Sequence, residues 1–138
     1  MTTAEQEIIN EFSALEDWME KYDLLISLGK SLKTMDEKNK TDDNLIKGCQ
    51  SRVWLHSEFI DGNVIFTADS DATITKGMIS LLIRVFSNQT PLEIINGNLD
   101  FIEGIGLMNH ISPTRSNGLL SMYKQMKMDA QKFVNPIY

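Results

Sequence analysis

Apolar positions change their spacing twice along the chain, dividing it into a helical start, an extended middle and a helical end. In the first stretch Ile8, Phe12, Leu15 and Met19 recur at helical intervals, and Trp18, Tyr22, Leu25 and Leu32 continue the stripe. Thr3 with Gln6 has the form of a capping box, and Asp17 with Glu20 offers a second cap. Two helices, or one kinked helix, fit this stretch. Residues 33 to 44 are polar and mixed in charge, which predicts a solvated loop leading into Ile46-Lys47-Gly48-Cys49.

From Arg52 the period becomes two. Asp61-Gly62 is a strong two-residue turn signal and predicts a hairpin with strands over 52–60 and 63–68. In that register Val53, Leu55, Phe59, Val64, Phe66 and Ala68 share the core face. The opposite face mixes Trp54, Ile60 and Ile65 with Arg52, His56, Glu58 and Thr67, so it is expected to be partly covered. Asp69-Ser70-Asp71 then supplies N-cap chemistry for a helix carrying Ile74, Met78, Leu81 and Val85. Gly77 inside that helix costs roughly 1 kcal/mol relative to Ala and points to close backbone packing.

Helical periodicity continues to the end. Thr90-Pro91-Leu92-Glu93 is a capping box with Pro at the first helical position, Gly97 closes that helix, and Leu99 to Glu103 adds a further turn. Ser112-Pro113 opens a last helix whose stripe is Leu119, Tyr123, Met126, Ala130 and Phe133, with Asn135-Pro136 as its stop. Helices, a hairpin, then helices predict an α+β fold with a small antiparallel sheet packed on helices. The absence of a Pro/Ser-rich linker or a repeat predicts a single domain over residues 1–138, its last five or so residues a flexible tail.

Composition narrows the function classes. A chain of 138 residues with a net charge of -6 lacks the basic footprint that nucleic-acid binding needs. No apolar run reaches the ~18 residues of a membrane span, and Arg84 interrupts the best candidate, Met78 to Phe86. The start, Met1-Thr-Thr-Ala-Glu-Gln-Glu, is acidic and has no apolar core of a secretory signal, so a cytoplasmic protein is expected.

Cys49 is the one cysteine, so an internal disulfide is excluded, and with two histidines a metal or cluster site has too few ligands. The predicted register sets residue 53 opposite 70 and brings Cys49–Ser51 near Asp69–Asp71 and the start of the next helix. That helix end and Lys47 favour a thiolate, whereas Asp69 and Asp71 oppose it, which leaves the direction of the shift open. Gly48 permits a positive φ or a close backbone approach and so a presented thiol; a plain turn glycine and an inert core cysteine are the alternatives. Arg115 stands in the first turn of the last helix, where a cation costs roughly 0.3–1 kcal/mol, beside Asn117-Gly118, which is poor helix chemistry. An exposed arginine at a frayed helix start explains this equally well. A cysteine hydrolase is a weak reading, because His56 lies roughly 20 Å along an extended strand and His110 could approach only through the tertiary fold. The eight methionines read as core filler.

Four stretches together resemble the SufE family of sulfur-acceptor proteins: Ile46-Lys-Gly-Cys-Gln-Ser-Arg-Val-Trp54, Asp69-Ser-Asp-Ala-Thr-Ile-Thr-Lys-Gly77, Thr90-Pro-Leu-Glu-Ile-Ile95 and Ser112-Pro-Thr-Arg-Ser-Asn-Gly-Leu119. The helical start from Trp18 to Gly29 is similar too. Arg52 departs from the pattern, standing where other members carry an uncharged side chain such as Gln. The resemblance implies an IscU-like fold with a third strand that periodicity alone does not show. It also implies that Cys49 accepts sulfur from the persulfide of a pyridoxal-phosphate cysteine desulfurase of the SufS kind and passes it to an iron–sulfur scaffold of the SufBCD kind. The pyridoxal phosphate would belong to the partner, and this chain would need no cofactor of its own, as monomer or homodimer. Gly48, Gln50, Ser51, Asp69, Asp71 and Arg115 would support the cysteine loop or touch the partner. A regulatory module that binds a desulfurase and keeps Cys49 for structure is the alternative.

Overall fold

A computed structural model describes residues 1–134. Two helices open the chain, α1 (Thr3–Ser13) and α2 (Trp18–Lys30). The cap of α1 lies one residue earlier than expected: Thr2 and Glu5 exchange side-chain and backbone hydrogen bonds, so the box spans Thr2–Glu5 instead of Thr3–Gln6. Asp17 caps α2 by accepting from the Glu20 N–H at 2.9 Å, as its spacing predicts.

The hairpin follows the predicted register, with β1 (Val53–Ile60) and β2 (Asn63–Ser70) antiparallel and Val53 opposite Ser70. Asp61 and Gly62 both take positive φ, the backbone a tight two-residue turn requires. Val53, Leu55, Val64, Phe66 and Ala68 are buried as expected, but Phe59 is 47% exposed. At the hairpin tip β1 becomes exposed, and Phe59 instead stacks on Phe133 with ring centroids 5.2 Å apart.

β2 runs to Ser70, two residues past the predicted end, and this changes the role of Asp69-Ser70-Asp71. Helix α3 (Thr73–Phe86) starts from Ala72 with no side-chain cap, so the three polar residues do not cap it. The third strand implied by the family resemblance does not form among the described residues. In its place single bridges flank the sheet, Leu45 with Trp54 and Val64 with Gln89. Neither extends, because a 3-10 turn at Asp42–Asn44 and Gly48 at φ 87° bracket the first, and Asn88 at φ 62° precedes the second.

Helices α4 (Pro91–Ile95), α5 (Asp100–Gly104) and α6 (Pro113–Gln131) complete the fold. The Thr90–Glu93 capping box forms, and Ser112 caps α6. The stop expected at Asn135-Pro136 and the residues of the expected tail from 135 onward lie outside the described residues. Buried side chains from both helical stretches and the sheet make one contiguous core, with α3 central: Met78, Ile79, Leu81 and Leu82 are at most 1% exposed.

The packing of α2 on α3 rests on paired glycines. A Cβ built on Gly77 would lie 2.3 Å from the Leu25 carbonyl oxygen, and one on Gly29 would lie 2.7 Å from the Gly77 nitrogen. Those obstacles are backbone, so no side chain can yield. Gly77→Ala is expected to lower stability by about 1–3 kcal/mol in urea denaturation even though Ala is the better helix former. An unchanged or higher midpoint would contradict this account of the crossing.

Candidate functional site

The cysteine loop is closed by strand-like bonds at its base. Ile46 N–H donates to the Val53 carbonyl at 2.8 Å, so the chain leaves and returns at nearly the same place. On the far side of β1 the extended hairpin clamps the loop's exit. Asp71 Oδ1 accepts from the Arg52 N–H at 3.1 Å, and the Arg52 carbonyl accepts from the Ser70 hydroxyl at 2.7 Å and the Asp71 N–H at 3.3 Å. Asp71 thus holds the backbone of the loop, and Ser70 Oγ also accepts from Ala72 N–H at 3.3 Å, linking it to the start of α3.

Between these anchors Gly48 takes φ 87° and presses on α6, where a Cβ would lie 2.5 Å from Ser121 Oγ. Both reasons for a glycine apply, the positive φ and the close approach. Cys49 follows, half-buried, its thiol directed at the Gly118 carbonyl at 3.7 Å. Gly118 is buried within α6, and a Cβ there would already touch Cys49 Sγ at 3.7 Å. That is an ordinary contact distance, so the cysteine loop lies directly on α6 at Gly118, although no close approach there demands a glycine.

Sγ faces a pocket of about 60 Å³. Its interior is made by Thr75, Met78 and Met122, all buried, and its mouth by Gln50, Ser51, Thr114 and Arg115. Thr75 stands in the first turn of α3, and Thr114 and Arg115 in that of α6, so two helix N-termini converge here. Those ends favour an anion, but burial prevails and pushes the Cys49 thiol above its ordinary pKa.

Of the residues singled out in the sequence, Cys49, Gln50, Ser51 and Arg115 share this pocket, Gly48 shapes the loop and Asp71 clamps it. Asp69 does something else. Its carboxylate meets Lys40 Nζ at 2.7 Å and Lys76 Nζ at 3.2 Å. Burial alone would raise its pKa, but Lys40, the Ser70 N–H and Lys76 together hold it below the usual carboxylate range. Lys40, held also by Glu37 at 2.9 Å and lying over the Trp54 ring, is raised by Asp69 first and Glu37 second. The 33–44 segment is therefore no freely solvated loop. Met35 within it is only 1% exposed, and a lone apolar residue in a polar tract was the signal available for that. Thr75, Met78 and Met122 escaped notice because core and pocket-lining positions share one helical stripe.

Neither histidine lines the pocket. His110 stacks on Trp18 at 3.9 Å and bonds the Gly106 carbonyl through Nδ1, and Tyr22 donates its hydroxyl to the His110 carbonyl. His56 contacts Glu58 on the strand. Among the described residues no cluster of three or more His, Cys, Asp or Glu could hold a metal, and no helix is long and apolar enough to cross a membrane. Among the described residues no histidine stands beside the Cys49 thiol as the base that a cysteine hydrolase uses.

A family model described as SufE, Fe-S metabolism associated domain, matches residues 6–130. The chain belongs to the SufE family. It is 39% identical over 126 residues to SufE-like protein 1, chloroplastic/mitochondrial, of Arabidopsis thaliana, covering 91% of this chain and 34% of that protein. The chain thus spans about a third of the plant relative. An uncharacterized SufE-like protein of Rhizobium meliloti is 37% identical over 95% of this chain and 96% of its own length. One of Synechocystis is 36% identical over 91% and 79%. The fold is similar to a solution structure of a hypothetical protein from Thermus thermophilus, at a TM-score of 0.78, 17% identity and 94% coverage of both chains. This SufE-family chain therefore has the α+β fold predicted for it, with a two-stranded sheet among the described residues.

Two measurements follow from the geometry of the loop. Because burial favours the neutral thiol, alkylation of Cys49 by iodoacetamide should be slow at neutral pH and rise to a midpoint above the ~8.5 of a free cysteine. A midpoint at or below that value would mean that the helix ends and cations outweigh burial. Gly48→Ala should strain the loop, and a several-fold faster alkylation at fixed pH is expected as Cys49 leaves α6.

Proposed function

We propose that this SufE-family protein, whose domain is associated with Fe–S metabolism, is a sulfur acceptor and activator for a pyridoxal-phosphate cysteine desulfurase, with Cys49 as the acceptor. In this reading the Cys49 thiolate attacks the outer sulfur of the partner's cysteine persulfide. A new S–S bond forms at Cys49, the partner's S–S bond breaks, and the partner leaves as a thiolate that takes up the proton lost by Cys49. No net oxidant is needed, because the sulfane atom only changes owner. The cytoplasmic Cys49 persulfide is then surrendered to an iron–sulfur assembly scaffold of the SufBCD kind.

The observation that carries the reading is a solitary cysteine on a clamped loop that lines a half-open pocket. A pocket of about 60 Å³ exceeds the roughly 10–15 Å³ that one water requires, so one added sulfur fits. With no second cysteine in the chain, the persulfide has no internal thiol to discharge it. The raised thiol pKa supports the same reading, since a resting thiol resists adventitious oxidation and docking that lifts the loop releases the thiolate.

Incubation with a cysteine desulfurase and cysteine, followed by intact mass measurement, tests it. A gain of about 32 Da, one sulfur, that vanishes on reduction and is absent in Cys49→Ser is expected. No gain, with desulfurase stimulation surviving Cys49→Ser, would instead make the protein a regulatory module.

A further inference from the structure

Arg115 places a cation at the mouth of the cysteine pocket on an acidic protein, and two more cations flank Cys49 in sequence. Against a chain net charge of -6, Lys47, Arg52 and Arg115 all stand exposed around Cys49, two within three residues of it in sequence and Arg115 across the pocket. None of their side chains makes an ion pair or hydrogen bond among the described residues. Arg84 shows the contrast: it is gripped by Glu11 and by Glu7 at 3.5 Å. Of the acids near the site, Asp69 is paired with Lys40 and Lys76, and Asp71 faces the Arg52 backbone N–H, not its guanidinium. Arg115 moreover sits at the positive end of α6, an unfavourable place for an idle cation.

From this arrangement we infer that the face around Cys49 docks onto an acidic surface surrounding the partner's persulfide, and that Arg52 helps select that partner. The inference rests on the sulfur-acceptor reading. Two exposed guanidinium groups with no ion-pair partner among the described residues, Arg115 at the pocket mouth and Arg52 where the cysteine loop enters β1, fit carboxylates on a facing protein, since each fork can take a carboxylate in a bidentate pair. Overall negative charge repels an acidic partner at long range, so the local cationic patch also orients the approach. Arg52 is well suited to selection because its backbone is pinned by Asp71 and Ser70 while its side chain is left exposed.

The test measures binding of the full chain to the cysteine desulfurase of the same organism, for wild type, Arg52→Gln and Arg52→Glu, at about 50 mM and about 500 mM salt. The expected result is a Kd weakened about tenfold or more by Arg52→Glu and less by Arg52→Gln, with the gap closing at high salt. In the free protein, Cys49 of Arg52→Glu should also react several-fold more slowly with the anionic disulfide DTNB, relative to cationic cystamine, than wild type does. Both substitutions alter an exposed side chain, so thermal midpoints should stay unchanged. Equal Kd values for all three proteins, alongside a normal gain of one sulfur on Cys49, would overturn this inference and leave the acceptor reading intact. A wild-type protein that neither binds the desulfurase nor gains sulfur would overturn both.

Discussion

Hairpin register is the constraint on which the site depends. The two-residue turn at Asp61-Gly62 sets Val53 opposite Ser70, and one step further the Arg52 backbone meets Asp71. A slip of one residue would send every side chain of β1 to the opposite face and take Asp71 off the Arg52 amide. The core face of the sheet and the anchorage of the cysteine loop are thus decided together. Burial of Val53, Leu55, Val64, Phe66 and Ala68 supplies the energy that holds the register, and the loop inherits its position from it.

Helix α6 completes the site from the other side. It carries Gly118 and Ser121 where Gly48 and Cys49 approach, and Arg115 and Met122 around the pocket. The local cost of glycine in a helix interior, about 1 kcal/mol, is offset at Gly29 and Gly77, where α2 and α3 meet backbone to backbone. There a residue unfavourable to its own helix is explained by what another element brings against it.

Charge and burial act on Cys49 in opposite directions. Two helix ends and Arg115 at the pocket mouth favour the thiolate, yet half-burial against α6 raises the thiol. Exposed charges act through water, where a unit charge at 4 Å is worth about 1 kcal/mol, whereas lost hydration acts on the sulfur itself. The resting site therefore holds a neutral thiol, with Arg115 exposed at the mouth of its pocket.

Element types, the caps at Asp17, Thr90 and Ser112, and the hairpin register were legible in the sequence because each is a local property. Turn chemistry at Asp61-Gly62, the boxes at Thr90–Glu93 and Asp17–Glu20, and helical stripes depend on neighbours within a turn or two. Gly48-Cys49-Gln50-Ser51 and Ser112-Pro113-Thr114-Arg115 marked the site and the family. Contacts between distant segments lay beyond that reach. Only the folded chain assigned Asp69 to Lys40 and Lys76 and turned Asp71 from a helix cap into a loop clamp. The third strand was reduced to single bridges, Phe59 was left exposed, and Met35 was buried within a polar tract. The physical reason is that backbone preference and periodicity are set within a few residues, whereas burial, ion pairing and the balance acting on a thiol depend on what lies nearby in space.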